Sequence, residues 1–337
     1  MKRTLVCLVV LLLAAGSSRG QQVELTLHPS KHPEPAKKLR LFPEPEKRRD
    51  ADAVPLYRKA SQSLPKDFNR DQISRWLKTP LDKLPRDQVQ STLQRLKPTL
   101  QLVEQAAGCK LCKWPAVKPG TMPAYLPEYR SLARTLALKA RFEMAQGRYD
   151  QAATTIGTGL AAAKHIGESP TVIQGMVGAA IGGLMLKQVD EFVQGAAAPN
   201  LHGALRGLPK PLVDLNKPIA VEIANLRSNP QYSVFVRAMM ELQLKSVYDR
   251  VRLIMNRMDR HVVALQCIEA MRLYAGAHNG KFPNGLTDIT QVPVPNDPVT
   301  KKPFVYRRTG SEAALKGPAP KGGDPKEAID YKLILKE

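Results

Sequence analysis

Between Pro127 and Ala163 the apolar residues fall at a spacing that only a pair of packed helices satisfies. Leu132, Leu136, Ala140 and Met144 recur every four residues and so share one helical face. Gly147-Arg148-Tyr149-Asp150-Gln151-Ala152 then predicts a tight turn into a second helix, with Ile156, Leu160 and Ala163 facing inward. A two-helix unit cannot bury its own apolar face, so neighbouring helices must cover it. The chain is therefore expected to be mainly α, a helical-hairpin array followed by a small C-terminal helix plus an antiparallel β-meander.

The rest of the chain extends this pattern. Asp71 is placed to cap a helix carrying Ile73, Trp76 and Leu77, and Asp87 another through Val89, Leu93 and Leu96; Pro98 stops or bends the latter before Leu100–Ala107 resume. Ser169-Pro170 predicts a helix start, and the helix to about Gln194 contains Gly175, Gly178, Gly182 and Gly183. Its apolar core, Gly175 to Leu186, is twelve residues long, against roughly 20 needed to cross a bilayer. Glycine costs about 1 kcal/mol per site in an isolated helix, so the helix is expected to be buried and packed closely on another backbone. After Pro230 a long helix runs from about Tyr232 to Ala277. Val251, Ile254, Met255, Met258, Val262 and Leu265 form one stripe, and Arg250, Arg252, Arg257 and Arg260 fill much of the remainder, which predicts a surface helix with one buried stripe. Asn279-Gly280 ends it, and Phe304–Arg308, Glu312–Leu315 and Ile329–Leu335 read as strands.

The ends of the chain bear on compartment. Lys2 and Arg3 precede the apolar run Leu5–Ala15, and Ser18 and Gly20 suit cleavage before Gln21, so residues 1–20 are expected to be a secretory signal peptide. Residues 21–52 hold five prolines with mixed charge and are expected to be a disordered Pro/Lys/Glu-rich linker. An α-helical domain over 53–245 and a long-helix-plus-meander module over 246–337 follow. The formal charge is +21, spread without a concentrated basic arm, which suits a protein or anionic polymer partner in the periplasm or outside the cell.

Three resemblances add to this reading. Residues 127–166 resemble a single tetratricopeptide hairpin, in which a small residue, here Ala140, precedes the Gly-x-Tyr-x-x-Ala turn and lets two helices approach closely. Ile268-Glu269-Ala270, Tyr274, Asn279-Gly280-Lys281-Phe282-Pro283 and Asp297-Pro298 leading to Pro303-Phe304-Val305-Tyr306-Arg307 resemble the globular head of a type II secretion major pseudopilin. The segment departs from it in lacking an uninterrupted apolar helix before the head and the carboxylates of a calcium loop. Gly147–Ala152, Gly167-Glu168-Ser169-Pro170, Pro199-Asn200-Leu201, Leu208–Leu212 and Arg260–Tyr306 together resemble a family of uncharacterised exported proteins of planctomycete-type bacteria. That last resemblance implies export and architecture without implying a reaction.

Few residues suggest chemistry. Cys109-Lys110-Leu111-Cys112 is expected to form a local disulfide, with reduced thiols or a redox or metal role as alternatives; Lys110 and Lys113 would favour a thiolate. Lys113 stands where a c-type haem site needs histidine, and no second ligand pair follows at zinc-finger spacing. Cys267 is left over. His28 and His32 lie in the expected linker, His165 and Glu168 at a helix end, and His261 on the long helix. No nucleophile elbow, zinc-protease, phosphate-loop, Rossmann or nucleic-acid motif occurs. The expectation is an exported, non-catalytic binding or scaffold protein of the cell envelope, with no cofactor, metal or integral membrane segment. A soluble subunit of a secretion or pilus-like system and an envelope-polymer hydrolase are the alternatives.

Overall fold

The computed structural model describes residues 22–31, 39–115, 123, 125–320 and 324–336. The predicted signal at 1–20 and His32 lie outside them. Among the described residues, ten α-helices are followed by an antiparallel-rich C-terminal sheet.

Proline and short capping side chains set the early helix boundaries. In α1 (Val54–Gln62) Pro55 occupies the first turn, where its missing N–H costs nothing. Asn69, rather than Asp71, caps α2 (Arg70–Trp76): its side-chain oxygen accepts from Gln72 N at 2.9 Å. Asp71 sits instead within the first turn, facing the positive end of the helix dipole. Asp87 likewise lies inside the first turn of α3 (Arg86–Arg95), behind Pro85. Pro98 has no N–H for the helical ladder, and the chain breaks at Leu96 before α4 (Lys97–Ala107).

The predicted hairpin is α5 (Leu126–Ala145) and α6 (Tyr149–Gly167). At its turn Gly147 takes φ +72°, where a Cβ would be strained, so that Gly147 N and Arg148 N reach the carbonyls of Met144 and Glu143. α7 (Val172–Phe192) starts after Thr171, which caps it by accepting from Gln174 N; the predicted cap, Ser169, lies just outside. α8 (His202–Arg206), α9 (Asn216–Ser228) and α10 (Val234–Ala277) complete the helices. By length and composition α7 could cross a membrane, yet 67% of its apolar window is buried, and it packs against α5, α6 and α10. Gly178 makes this close approach possible. A Cβ there would stand 2.6 Å from Ala163 O and 2.7 Å from Gly167 Cα, both backbone atoms of α6.

The expected meander forms from β4 (Val305–Thr309), β5 (Glu312–Gly317) and β6 (Ile329–Leu335), neighbours paired antiparallel. The described residues 22–31 and 39–52 correct the expectation of a disordered linker. β1 (Val23–Leu27) joins the sheet parallel to β6, giving the order β1-β6-β5-β4, and β2 (Arg49–Asp52) pairs with β3 (Cys109–Leu111). Leu25, Leu27 and Leu41 are fully buried. Their partners are remote in sequence (Leu25 faces Leu333 and Leu27 faces Leu335), so local composition hides a strand whose burial is supplied from the other end of the chain. One buried cluster runs from Leu25 to Leu335, and the expected boundary at 245/246 falls inside α10.

Candidate functional site

Cys109 and Cys112 stand as separate thiols in this structure, as does Cys267. Cys109 Sγ donates to Gln105 O at 3.4 Å, while Cys112 Sγ donates to His165 O at 3.4 Å. Burial, with Glu168 and Asp52 nearby, pushes the Cys112 thiol well above its ordinary range. The expectation that the flanking lysines would favour a thiolate there is therefore reversed.

His165 is no surface residue. It is buried against an aromatic group of Tyr57, Trp114, Tyr125 and Tyr129, and Tyr57 Oη lies 3.0 Å from its Nδ1. Its carbonyl also accepts from Trp114 Nε1 at 2.7 Å. Burial lowers its pKa to about 4, so the ring is held neutral. The space beside Tyr57 and Tyr129 leaves about 10 Å³ for the centre of a water molecule, and its walls are otherwise apolar. Glu168 forms an i, i+4 pair with Lys164 at the helix end. His28 contributes its backbone carbonyl, which accepts from Arg272. His261 Nε2 lies 3.0 Å from Asp190 Oδ1, the oxygen that also accepts from Tyr331 Oη at 2.9 Å. Among the described residues no three His, Cys, Asp or Glu side chains converge to hold a metal ion.

The C-terminal half of α10 holds charge inside. Arg260, expected on the surface, is 1% exposed. Its guanidinium donates to Asp297 at 2.7–3.1 Å, to Glu327 O at 2.5 Å and to Pro318 O at 2.8 Å. Asp297 in turn accepts from Val299 N at 2.9 Å. Three turns on, Arg272 donates to Glu269 Oε1, His28 O and Ala198 O at 2.7–3.0 Å. Glu269 Oε2 accepts from Leu201 N. These buried cations tie α10 to the sheet module and to the chain around β1. They are satisfied structural pins, in which every strong donor has a partner.

The N-terminal end of α10 is the reverse. From Arg227 to Val247 no residue is buried. The end of α9 and the start of α10 thus form an arm, whose tip at Val234 lies about 21 Å beyond Tyr248 at 1.5 Å per residue. Glu222 fixes its base: it accepts from Val172 N at 2.8 Å and from Tyr248 Oη at 3.2 Å, and burial raises its carboxyl pKa. Arg227 clasps Glu241 with two bonds of 2.9 Å, and Arg237 donates to Arg227 O and Tyr232 O, so the two helices hold each other. Beyond that clasp the outer face is apolar. Val234 is 79% exposed, Phe235 78%, Leu242 73% and Met239 47%. With Ala238 they cover an arc of about 140° at 100° per residue. The buried stripe of the same helix, Tyr248, Val251, Met255, Met258 and Val262, points to the other side. Contiguous exposed apolar surface of this kind marks an interaction site, and sequence reading missed it because it took α10 to have one apolar face.

No family model, curated protein or solved structure matches this chain, so the arm and the pins described above are what its function must be argued from.

Proposed function

We propose that this chain is an exported, non-catalytic binding or scaffold protein of the cell envelope that engages its partner, a protein or an anionic surface, through the distal end of the α9–α10 arm. The exposed quartet of Val234, Phe235, Met239 and Leu242 on a projecting arm carries the reading. Exposing those side chains to water gains the monomer nothing, whereas docking removes them from it. The buried ionisable groups support the same reading, since Arg260, Asp297, Glu269 and Arg272 are all engaged in holding elements together. Photo-cross-linking in producing cells tests it. A benzophenone side chain at 235 is expected to give discrete adducts that the same group at exposed Gln90 on α3 does not give. Indistinguishable adducts from both positions, or none from 235, would count against it.

A second reading, a soluble subunit of a secretion or pilus-like system, draws on α10 running into the β4–β6 meander and on β4 being an edge strand with Val305 exposed. It predicts that benzophenone at 305, rather than at 235, captures the partner.

A further inference from the structure

We propose that the occupant of the arm's distal end is the surface of an anionic lipid bilayer, with Phe235 and Leu242 inserted among the headgroups and the arm's cations beside them at the phosphates. This rests on the reading of the arm as the docking element and names what it docks on.

Three observations favour a bilayer. The first is axial order. Val234, Phe235, Ala238, Met239 and Leu242 lie along one side of the helix over about 12 Å, and a helix lying in a membrane interface buries such a side by roughly 5–10 Å. Beyond Leu242 the outer face changes to Gln243, Lys245 and Ser246, then to Asp249, which pairs with Arg252, and to Arg250. Lys245 stands about 5 Å behind Leu242 and Arg250 about 12 Å behind it. An apolar side continued along the same helix by Lys245 and Arg250 suits an arm lying along a membrane interface, with its cations at the level of the phosphates.

The second is charge. Residues 216–254 carry six Lys or Arg against three Asp or Glu, a net +3. Each of the three acids is occupied within the protein: Glu222 is held at the arm's base, Glu241 is clasped by Arg227, and Asp249 pairs with Arg252 at 3.2 Å. Among the described residues Lys217, Lys245 and Arg250 form no ion pair, so the field presented outward is positive and complements anionic headgroups.

The third is length. A coiled coil with a second copy is marked by an apolar stripe sustained for about three heptads or more, and this one ends after little more than two turns. Pairing with a second copy would in addition bring two ends of net +3 together.

Flotation of the purified protein with vesicles tests the proposal. Vesicles of phosphatidylcholine mixed with phosphatidylglycerol are expected to carry the protein upward, and vesicles of phosphatidylcholine alone to carry little. Added salt should weaken the association. The double variant Phe235→Ser/Leu242→Ser should lower binding to the mixed vesicles about tenfold or more, with the circular dichroism spectrum unchanged because both side chains are exposed. Lys245→Glu/Arg250→Glu should abolish the preference for phosphatidylglycerol. Absence of flotation, equal binding to both vesicle types, or binding unaffected by Phe235→Ser/Leu242→Ser would overturn the lipid assignment. If vesicles fail while benzophenone at 235 captures a protein, or while sedimentation shows a dimer that the double variant loses, the occupant is a protein and the docking reading stands. If position 235 captures nothing and vesicles fail, both readings fall together.

Discussion

α10 is one helix with two opposite solutions to the same problem. Its C-terminal half buries Arg260, Glu269 and Arg272, while its N-terminal end leaves Val234, Phe235 and Leu242 in water. Ordinary folding economy would exchange these placements. In the C-terminal half the inversion is explained within the molecule, because each buried cation finds a carboxylate, Asp297 for Arg260 and the neighbouring Glu269 for Arg272, together with backbone carbonyls from elements remote in sequence. At the N-terminal end no described residue covers the apolar face. Buried charge that is fully partnered therefore speaks of architecture here, and exposed apolar surface without a partner speaks of recognition.

The sharpest way to break that contrast is to remove one partner from a buried pin. Asp297→Ala should leave the Arg260 guanidinium buried without its carboxylate and destabilise the protein by about 3–5 kcal/mol, read as a fall in the urea midpoint. A loss below about 1 kcal/mol would mean that the pin is an ordinary surface contact. Next comes the close contact between α6 and α7. Gly178→Ala places a Cβ against backbone atoms of α6, which cannot rotate away, and should cost about 3 kcal/mol.

His165 sharpens the comparison by showing the body burying an ionisable group neutral instead of paired. Its folded pKa of about 4 lies below the ordinary histidine value of 6.5. The unfolded chain therefore binds the proton first, and stability is full above pH 6.5 and falls as pH drops from there toward 4. The loss between pH 7 and pH 5 should be about 2 kcal/mol. His165→Gln, measured by urea denaturation at both pH values, should remove that portion of the pH dependence; an unchanged difference would place the titrating group elsewhere. The smallest expected effect belongs to the arm. Phe235→Ser and Leu242→Ser should each change stability by no more than about 0.5 kcal/mol, and a larger loss would show that the face is covered within the molecule.

What could be read from the residues followed what is local. The Leu132–Met144 face, the turn at Gly147, the break at Pro98, the glycine-lined helix α7 and the three strands of the meander all have their causes within a few positions. β1 did not announce itself, because the side chains that bury Leu25 and Leu27 lie about three hundred positions away, and proline-rich neighbours dominate the local composition. Arg260 was misplaced because periodicity records where apolar side chains fall and is silent on a charge whose carboxylate comes from Asp297. The electrostatics at Cys112 is hidden for a related reason: its flanking lysines are visible in sequence, whereas Glu168 and Asp52 reach it only through the fold. The arm did leave a legible trace. Val234, Phe235, Met239 and Leu242 are out of phase with the Val251–Leu265 stripe, and two apolar faces on one helix need two partners.

Hydrogen exchange along α10, with and without anionic vesicles, tests the central claim most directly. The account predicts that amides from Arg227 to Val247 exchange quickly in the free protein while those around Arg260–Arg272 are strongly protected, and that vesicles slow exchange in the arm alone. Slow exchange of the arm in the free protein, or vesicle-induced protection confined to the body, would contradict it.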